Sequence, residues 1–168
     1  MLFRSYPFQG DLRITDFTEY AINVSWNILN NQGYEMSNKM TVYNALWLQS
    51  YEKHSYMERH IHSDQSQIIG LYVLDAPENC NRLLIHDPRP GKVQINMEEK
   101  NMEDLTYAST MVNFQIEPGM FYFFNSSVLH SFTPNGSDQP CNFIHFNVGV
   151  KSYFKPENSD NPSLVEVI

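Results

Sequence analysis

Three histidines have the residue type and the spacing that a metal site needs. His60 and His62 are separated only by Ile61, and His130 follows much later in the chain. Alternate residues of a β-strand point to the same side of a sheet, so a His-x-His strand directs two imidazoles at one point. Three neutral imidazoles can hold Fe(II), Zn(II), Ni(II) or Cu(II). The pattern predicts a metal site, and exposed strand histidines that only form hydrogen bonds are the alternative.

A second set of ligands is available in the same segment. His62, Ser63 and Asp64 form a His-x-Asp pattern, and two histidines with one carboxylate leave three positions of Fe(II) open. Asp64 is therefore an alternative to His60. His145 lies on a strand with alternating polarity. One interpretation is that it lines a pocket or orients a metal ligand, and the other is that it is a hydrogen-bonded core histidine.

The elements that position these residues can be read from periodicity. Apolar residues recur at helical spacing over about 15–31, and the turn residues around Gly33 end this helix. Short strand-like runs then follow, at residues 40–51, 55–62, 67–75, 82–86, 92–96, 106–116, 120–125, 128–133 and 141–150. So many short strands separated by turns are typical of a sandwich or barrel. We expect one mainly β domain over 1–168, with a barrel over about 40–150 and a polar tail over about 155–168.

Composition excludes several classes of function. Hydrophobic residues make up 42% of the chain and aromatic residues 14%, which is typical of a folded core and not of a disordered chain. The net charge of −8, without a basic stripe, argues against nucleic acid or an anionic membrane as a partner. The two cysteines are too few for a disulfide framework. Without a signal sequence or a long apolar run, a cytoplasmic location is expected.

The segment from Arg59 to Asn147 resembles a family of small proteins grouped with the 2-oxoglutarate/Fe(II)-dependent oxygenases, common in marine bacteria and tailed phages. The resemblance rests on motifs that occur in the family's order: His60-Ile61-His62, Gly70-Leu71-Tyr72-Val73, Pro77, Asp87-Pro88-Arg89, Pro118-Gly119, Phe123-Phe124, His130 and Phe146-Asn147. It implies a double-stranded β-helix (jelly-roll) fold with an N-terminal helix. It also implies an Fe(II) ion held by His60, His62 and His130, with Asp64 as the alternative to His60.

One position departs from the family pattern. Relatives carry an Arg at the start of the last strand, where it binds the distal carboxylate of 2-oxoglutarate, and this chain has Cys141 there. A thiol cannot replace a guanidinium in that role. Either another cation serves, with Arg82, Arg89 and Lys92 as the nearby candidates, or the protein does not use 2-oxoglutarate. Arg89 and Tyr72 are the residues predicted to contact the co-substrate.

These observations leave three functions open. The leading one is a mononuclear Fe(II), 2-oxoglutarate-dependent hydroxylase that acts on an unknown small molecule or peptide. The second is a cupin-like metalloprotein with a three-His site and different chemistry. The third is a non-catalytic jelly-roll module for binding or for a virion. The oligomeric state cannot be read from the sequence.

Overall fold

The computed structural model describes residues 3–7, 12–63, 65–95, 97–154 and 165–166. In chain order the helix and strands are β1 (Phe3–Pro7), α1 (Thr15–Asn31), β2 (Lys39–Tyr51), β3 (Met57–His60), β4 (Ser66–Asp75), β5 (Arg82–His86), β6 (Met111–Gln115), β7 (Phe121–Asn125), β8 (His130–Phe132), β9 (Cys141–Phe154) and β10 (Val165–Glu166). Short 3-10 helices lie at Leu12–Ile14 and Pro90–Gln94. An N-terminal helix followed by many short strands confirms the predicted mainly β fold.

The strands form two antiparallel sheets. The larger sheet has the order β1-β2-β9-β4-β7, with β10 pairing with β9, and the smaller has the order β3-β8-β5-β6. Most neighbours within a sheet are far apart in sequence, as in the β2–β9 and β3–β8 pairs. Two antiparallel sheets whose strands alternate along the chain form the predicted jelly-roll.

The larger sheet is buried on both faces. Leu71, Val73 and Phe143 point into the apolar layer between the two sheets, where they are fully buried. The alternate positions, such as Phe146, point the other way and pack against α1. A strand that is covered on both faces must be apolar at nearly every position, which explains the continuous run at 68–73.

A β-bulge decides which face of β2 lines the interior. Thr41 and Tyr43 hydrogen-bond to backbone carbonyls of α1 and so lie on the helix side. The pairing with β9 then shifts between Tyr43 and Ala45, which leaves Asn44 as an extra residue. Because strand side chains alternate, one extra residue reverses the faces that follow. Trp47 and the odd-numbered residues after it therefore point between the sheets.

The helix confirms the expected bounds, and its end shows why it stops there. Gly33 has a φ of +92°, a conformation that glycine adopts without strain. The N–H of Gly33 donates to the carbonyl of Asn30, and the N–H of Tyr34 donates to that of Leu29. This pair of bonds is a Schellman motif, which satisfies carbonyls that the last turn would leave without partners.

Three strand predictions differ from the structure. The strand predicted over 55–62 forms only at Met57–His60, so His62 lies in the segment that follows it. Residues 92–94 belong to the 3-10 helix Pro90–Gln94, because Pro90 at its start favours a helical turn. The strand predicted over 106–116 forms only at Met111–Gln115. Before it, the hydroxyls of Thr106 and Ser109 accept local backbone N–H groups and so compete with strand pairing.

The remaining sequence predictions fall partly outside the described residues. Asp64 and residues 155–164 of the predicted polar tail lie there, while Val165–Glu166 pairs with Tyr153 and Phe154 of β9. Over the part of the chain that the structure describes, the single α-helix is neither long enough nor apolar enough to cross a bilayer.

Candidate metal centre

His60 and His130 lie opposite each other on paired strands of the smaller sheet. His60 ends β3, His130 begins β8, and the two residues are register partners. Their ring centroids are 4.3 Å apart. Strand pairing thus brings together two histidines that are far apart in the sequence.

His62 approaches the same point from the segment that follows β3. Its backbone N–H donates to the carbonyl of Ser126, which ties this segment to the turn between β7 and β8. The imidazole Nε2 atoms of His60 and His62 lie 3.2 Å apart. The ring centroid of His62 is 5.3 Å from that of His130. The three predicted histidines therefore form one cluster.

Backbone carbonyls fix the tautomers of two of these rings. Nδ1 of His60 lies 2.8 Å from the carbonyl oxygen of Glu58, and Nδ1 of His130 lies 2.9 Å from that of Val128. A carbonyl can only accept, so each Nδ1 carries the proton and donates it. In a neutral imidazole the other nitrogen then holds a lone pair. Both Nε2 atoms are left in the form that binds a metal.

The geometry of the cluster suits a transition-metal ion. The three ligand atoms all lie within 4.8 Å of one another. Two nitrogens bound at about 2.1 Å to one ion lie roughly 3.0–3.4 Å apart at tetrahedral or octahedral angles, a range that includes the His60–His62 distance. Nε2 of His130 is buried without a hydrogen-bond partner. A cation would satisfy this atom, and the imidazoles present fit such an ion.

Burial keeps His130 in its neutral form. It lowers the pKa of His130 to about 4, and the nearby imidazoles of His60 and His62 act in the same direction. Phe124 contributes to this apolar setting with its ring, whose centroid lies 4.7 Å from that of His130. Only neutral histidines bind metals, so His130 is ready to bind over the whole neutral pH range.

The cluster opens into a cavity of about 280 Å³ between the two sheets. Besides the three histidines, its lining consists mainly of aromatic and apolar side chains, with one amide and a fourth histidine: Trp47, Gln49, Tyr51, Met57, Phe132 and His145. A largely apolar cavity with a few convergent polar groups is the usual form of a small-molecule site. A metal held by these histidines would therefore face a partly open space that can hold a small ligand.

Sequence reasoning missed most of this lining. Trp47, Gln49 and Tyr51 come from β2, where alternation predicts that they share a face but not which face. The sequence does contain a signal, because aromatic and amide side chains alternate there with the apolar Leu46 and Leu48. Of the two alternatives for His145, the structure supports the pocket-lining one.

Cys141 is placed where the sequence suggested, at the first position of β9. It is fully buried and pairs with Tyr51 of the neighbouring strand. Cys80 packs against the same apolar cluster. Burial raises the pKa of the Cys141 thiol, so the position holds an uncharged group.

The two residues predicted to contact a co-substrate lie away from the cavity. Arg89 forms a bidentate ion pair with Asp87, with N···O distances of 2.6 and 2.8 Å, and stacks on the Tyr107 ring. Tyr72 packs against Phe17 of α1, on the opposite face of the larger sheet from His145. Neither residue is part of the cavity lining, since one is engaged by a local acid and the other points to the helix.

Solved structures with the same fold include several oxygenases. A prolyl-4-hydroxylase from Pseudomonas putida matches with a TM-score of 0.57 and 12% identity, over 86% of this chain and 66% of that one. The viral collagen prolyl hydroxylase of Paramecium bursaria Chlorella virus-1, in its 2OG complex, matches with a TM-score of 0.56 and 11% identity, over 87% and 78%. At such identities the likeness shows the fold alone.

The chain is short beside some of these structures. It spans 53% of a 2OG-Fe(II) oxygenase family oxidoreductase from Burkholderia pseudomallei, at a TM-score of 0.53, 10% identity and 83% coverage of this chain. A comparison with curated proteins gives no match. A family model described as "Putative 2OG-Fe(II) oxygenase" matches residues 45–147, a span that includes the three clustered histidines and more than half of the sequence. The chain belongs to this 2OG-Fe(II) oxygenase family.

Proposed function

We propose that this protein is a mononuclear Fe(II)- and 2-oxoglutarate-dependent oxygenase that hydroxylates a small molecule or a peptide. Its metal ligands would be His60, His62 and His130. The observation that carries the proposal is the convergence of these three imidazoles at the wall of a cavity that is partly open to solvent. Membership of the family implies Fe(II) and 2-oxoglutarate as the cofactors.

The chain's own residues would bind and orient, while the cofactors would supply the oxidation itself. The carbonyls of Glu58 and Val128 hold two rings in the ligating tautomer. Three neutral ligands leave the full charge of a divalent ion available to an anionic co-substrate. The aromatic walls formed by Trp47 and Phe132 would exclude water from this space.

Substrate specificity depends on the shape of the pocket and not on the fold. The cytoplasmic location, the phage or marine bacterial origin, and the absence of nucleic-acid and membrane partners stay predictions from the sequence.

Metal analysis of the protein purified without chelator tests the assignment of the ligands. We expect about one transition-metal ion per chain in the wild type and a loss of at least tenfold in metal affinity for His130→Asn. His86→Asn is the matched control, since His86 is also buried in the smaller sheet but bonds to Ser131 outside the cavity lining. Equal metal content in the two variants, with both folded by circular dichroism, would contradict the assignment.

A cupin-like metalloprotein with other chemistry is the second candidate. It is favoured by one observation, the three-His group without a carboxylate among the described residues. Adding 2-oxoglutarate to the Fe(II) protein without oxygen separates the two functions. The oxygenase should develop a weak visible charge-transfer band, and a metalloprotein that does not bind this co-substrate should not.

A further inference from the structure

The cavity differs in charge from a site built for a dicarboxylate. No Arg or Lys is found among the described residues that line it. The position at the start of β9 holds the fully buried Cys141, among apolar residues. A second carboxylate on a bound ligand would therefore contact no positively charged side chain of this lining.

His145 is a polar group in the same cavity with an unsatisfied atom. Its side chain is 4% exposed, and Nδ1 is buried without a hydrogen-bond partner. An orphaned buried nitrogen costs free energy unless a ligand or a water satisfies it. Among the described residues of the lining outside the metal cluster, His145 is the one with a fully buried side-chain nitrogen or oxygen that lacks a hydrogen-bond partner.

The ring of His145 is held beside the metal cluster. It lies against the indole of Trp47, with ring centroids 4.3 Å apart, and stacks on His62 at 5.3 Å. The latter separation equals that between His62 and His130. His145 is not one of the three residues whose ligand atoms converge, so it lies next to the metal site without completing it.

From this placement we propose that the cavity recognises 2-oxo acids by their metal-chelating head. The metal would bind the 2-oxo-carboxylate group, and His145 would form a hydrogen bond to an oxygen of that group. No charged side chain of the lining would contact the rest of the ligand. The class of ligand is thus 2-oxo acids in general, including monocarboxylates, with 2-oxoglutarate as one member. This inference rests on the proposed function, because it requires the metal.

Comparing the affinities of two acids tests whether the cavity recognises the distal carboxylate. The Fe(II) protein is titrated without oxygen, by calorimetry and by its visible band, with 2-oxoglutarate and with pyruvate. Both acids carry the same head, and pyruvate lacks the distal carboxylate. An arginine pair would favour the dicarboxylate by about 10- to 100-fold. We expect affinities that agree within about tenfold, and a larger preference for 2-oxoglutarate would overturn the proposal.

Two substitutions test the role of His145. His145→Leu keeps an apolar side chain of similar bulk but cannot form a hydrogen bond, and should weaken both acids by roughly five- to tenfold. His145→Asn retains a polar group close to the position of Nδ1 and should stay within about threefold of the wild type. His86→Leu, which changes a buried histidine outside the lining, is the control and should bind both acids normally.

The outcomes separate this inference from the proposed function. Wild-type binding by His145→Leu, or a loss confined to 2-oxoglutarate, would overturn the role of His145 while leaving the metal assignment intact. Absence of metal from the wild-type protein would overturn both. Metal content is measured for every variant, so that a change in affinity for the acids is not confused with a loss of the ion.

Discussion

At the scale of single residues, the site depends on histidines that are kept neutral and correctly oriented. His130 illustrates both conditions, because a carbonyl holds its Nδ1 proton while burial lowers its pKa to about 4. The same burial leaves its Nε2 without a partner. The unpartnered Nε2 lowers the stability of the metal-free protein, and a bound cation would provide the missing partner.

The stability of the metal-free protein should therefore depend on pH. Unfolded His130 takes up a proton near pH 6.5 and folded His130 near pH 4. Between these values the unfolded state binds more protons, so the free energy of unfolding decreases as the pH falls. The stability that comes from keeping His130 neutral is fully present above pH 6.5. About 3 kcal/mol of the free energy of unfolding is lost by pH 4. The burial that lowers the pKa of His145 acts in the same direction.

Urea unfolding of the metal-free protein at pH 7 and at pH 5 measures this effect. The decrease should be smaller in His130→Asn. It should be unchanged in His54→Asn, which removes an exposed histidine at a left-handed backbone position that asparagine tolerates. A wild-type protein that is equally stable at both values would show that burial does not depress these pKa values.

At the scale of elements, the ends and irregularities of strands and helices place the functional residues. The bulge at Asn44 lets β2 face the helix in its first half and the cavity in its second half. The Schellman motif at Gly33 ends α1 before the chain enters β2. Both features are local, yet they set which side chains reach the interior.

Gly33→Ala should destabilise the fold without affecting the site. No atom lies within 4 Å of the added Cβ, so the cost comes from the φ of +92° alone and should be about 1 kcal/mol. Gly91→Ala is the matched control, because Gly91 also has open space but no positive φ. Urea unfolding should show a lower stability only for Gly33→Ala. Equal stabilities would contradict the assigned backbone conformation.

At the scale of the whole molecule, the two sheets and α1 form two apolar layers, and the histidine cluster lies at the edge of one of them. The three ligands all come from the smaller sheet and the segment next to it, while His145 and the indole of Trp47 come from the larger sheet. A ligand in the cavity would therefore contact both sheets. Binding at such a place is coupled to the folding of the entire domain.

Metal should accordingly stabilise the folded protein. With Zn(II) as a redox-inert probe at 100 times its dissociation constant, the stabilisation should be about 2.7 kcal/mol, visible as a rise in the thermal midpoint. At the same zinc concentration, His130→Asn with an affinity at least tenfold lower should keep at most about half of this stabilisation, and His86→Asn should show all of it. An equal rise in both variants would place the ion elsewhere on the chain.

Local patterns in the amino-acid sequence are sufficient to predict the types of the elements and the histidines that cluster. The bounds of α1 and the order of the strands follow from local periodicity and turn residues, which act over a few positions. The His-x-His spacing predicts that two imidazoles lie close together, and they do, although His62 lies just beyond the end of β3. None of these signals depends on a distant part of the chain, which is why they could be read in advance.

Long-range packing, and not local pattern, sets which faces of the strands meet. A period of two shows that residues share a face but not which face it is, so the sequence leaves open whether Tyr72 faces the cavity, and in the structure it packs on α1. The lining from Trp47 to Tyr51 depends on a bulge that long-range pairing with β9 reveals. The charge of Arg89 made it a candidate partner for a co-substrate carboxylate, but in the structure it forms an ion pair with Asp87. These outcomes depend on register, which is set by contacts between segments far apart in sequence.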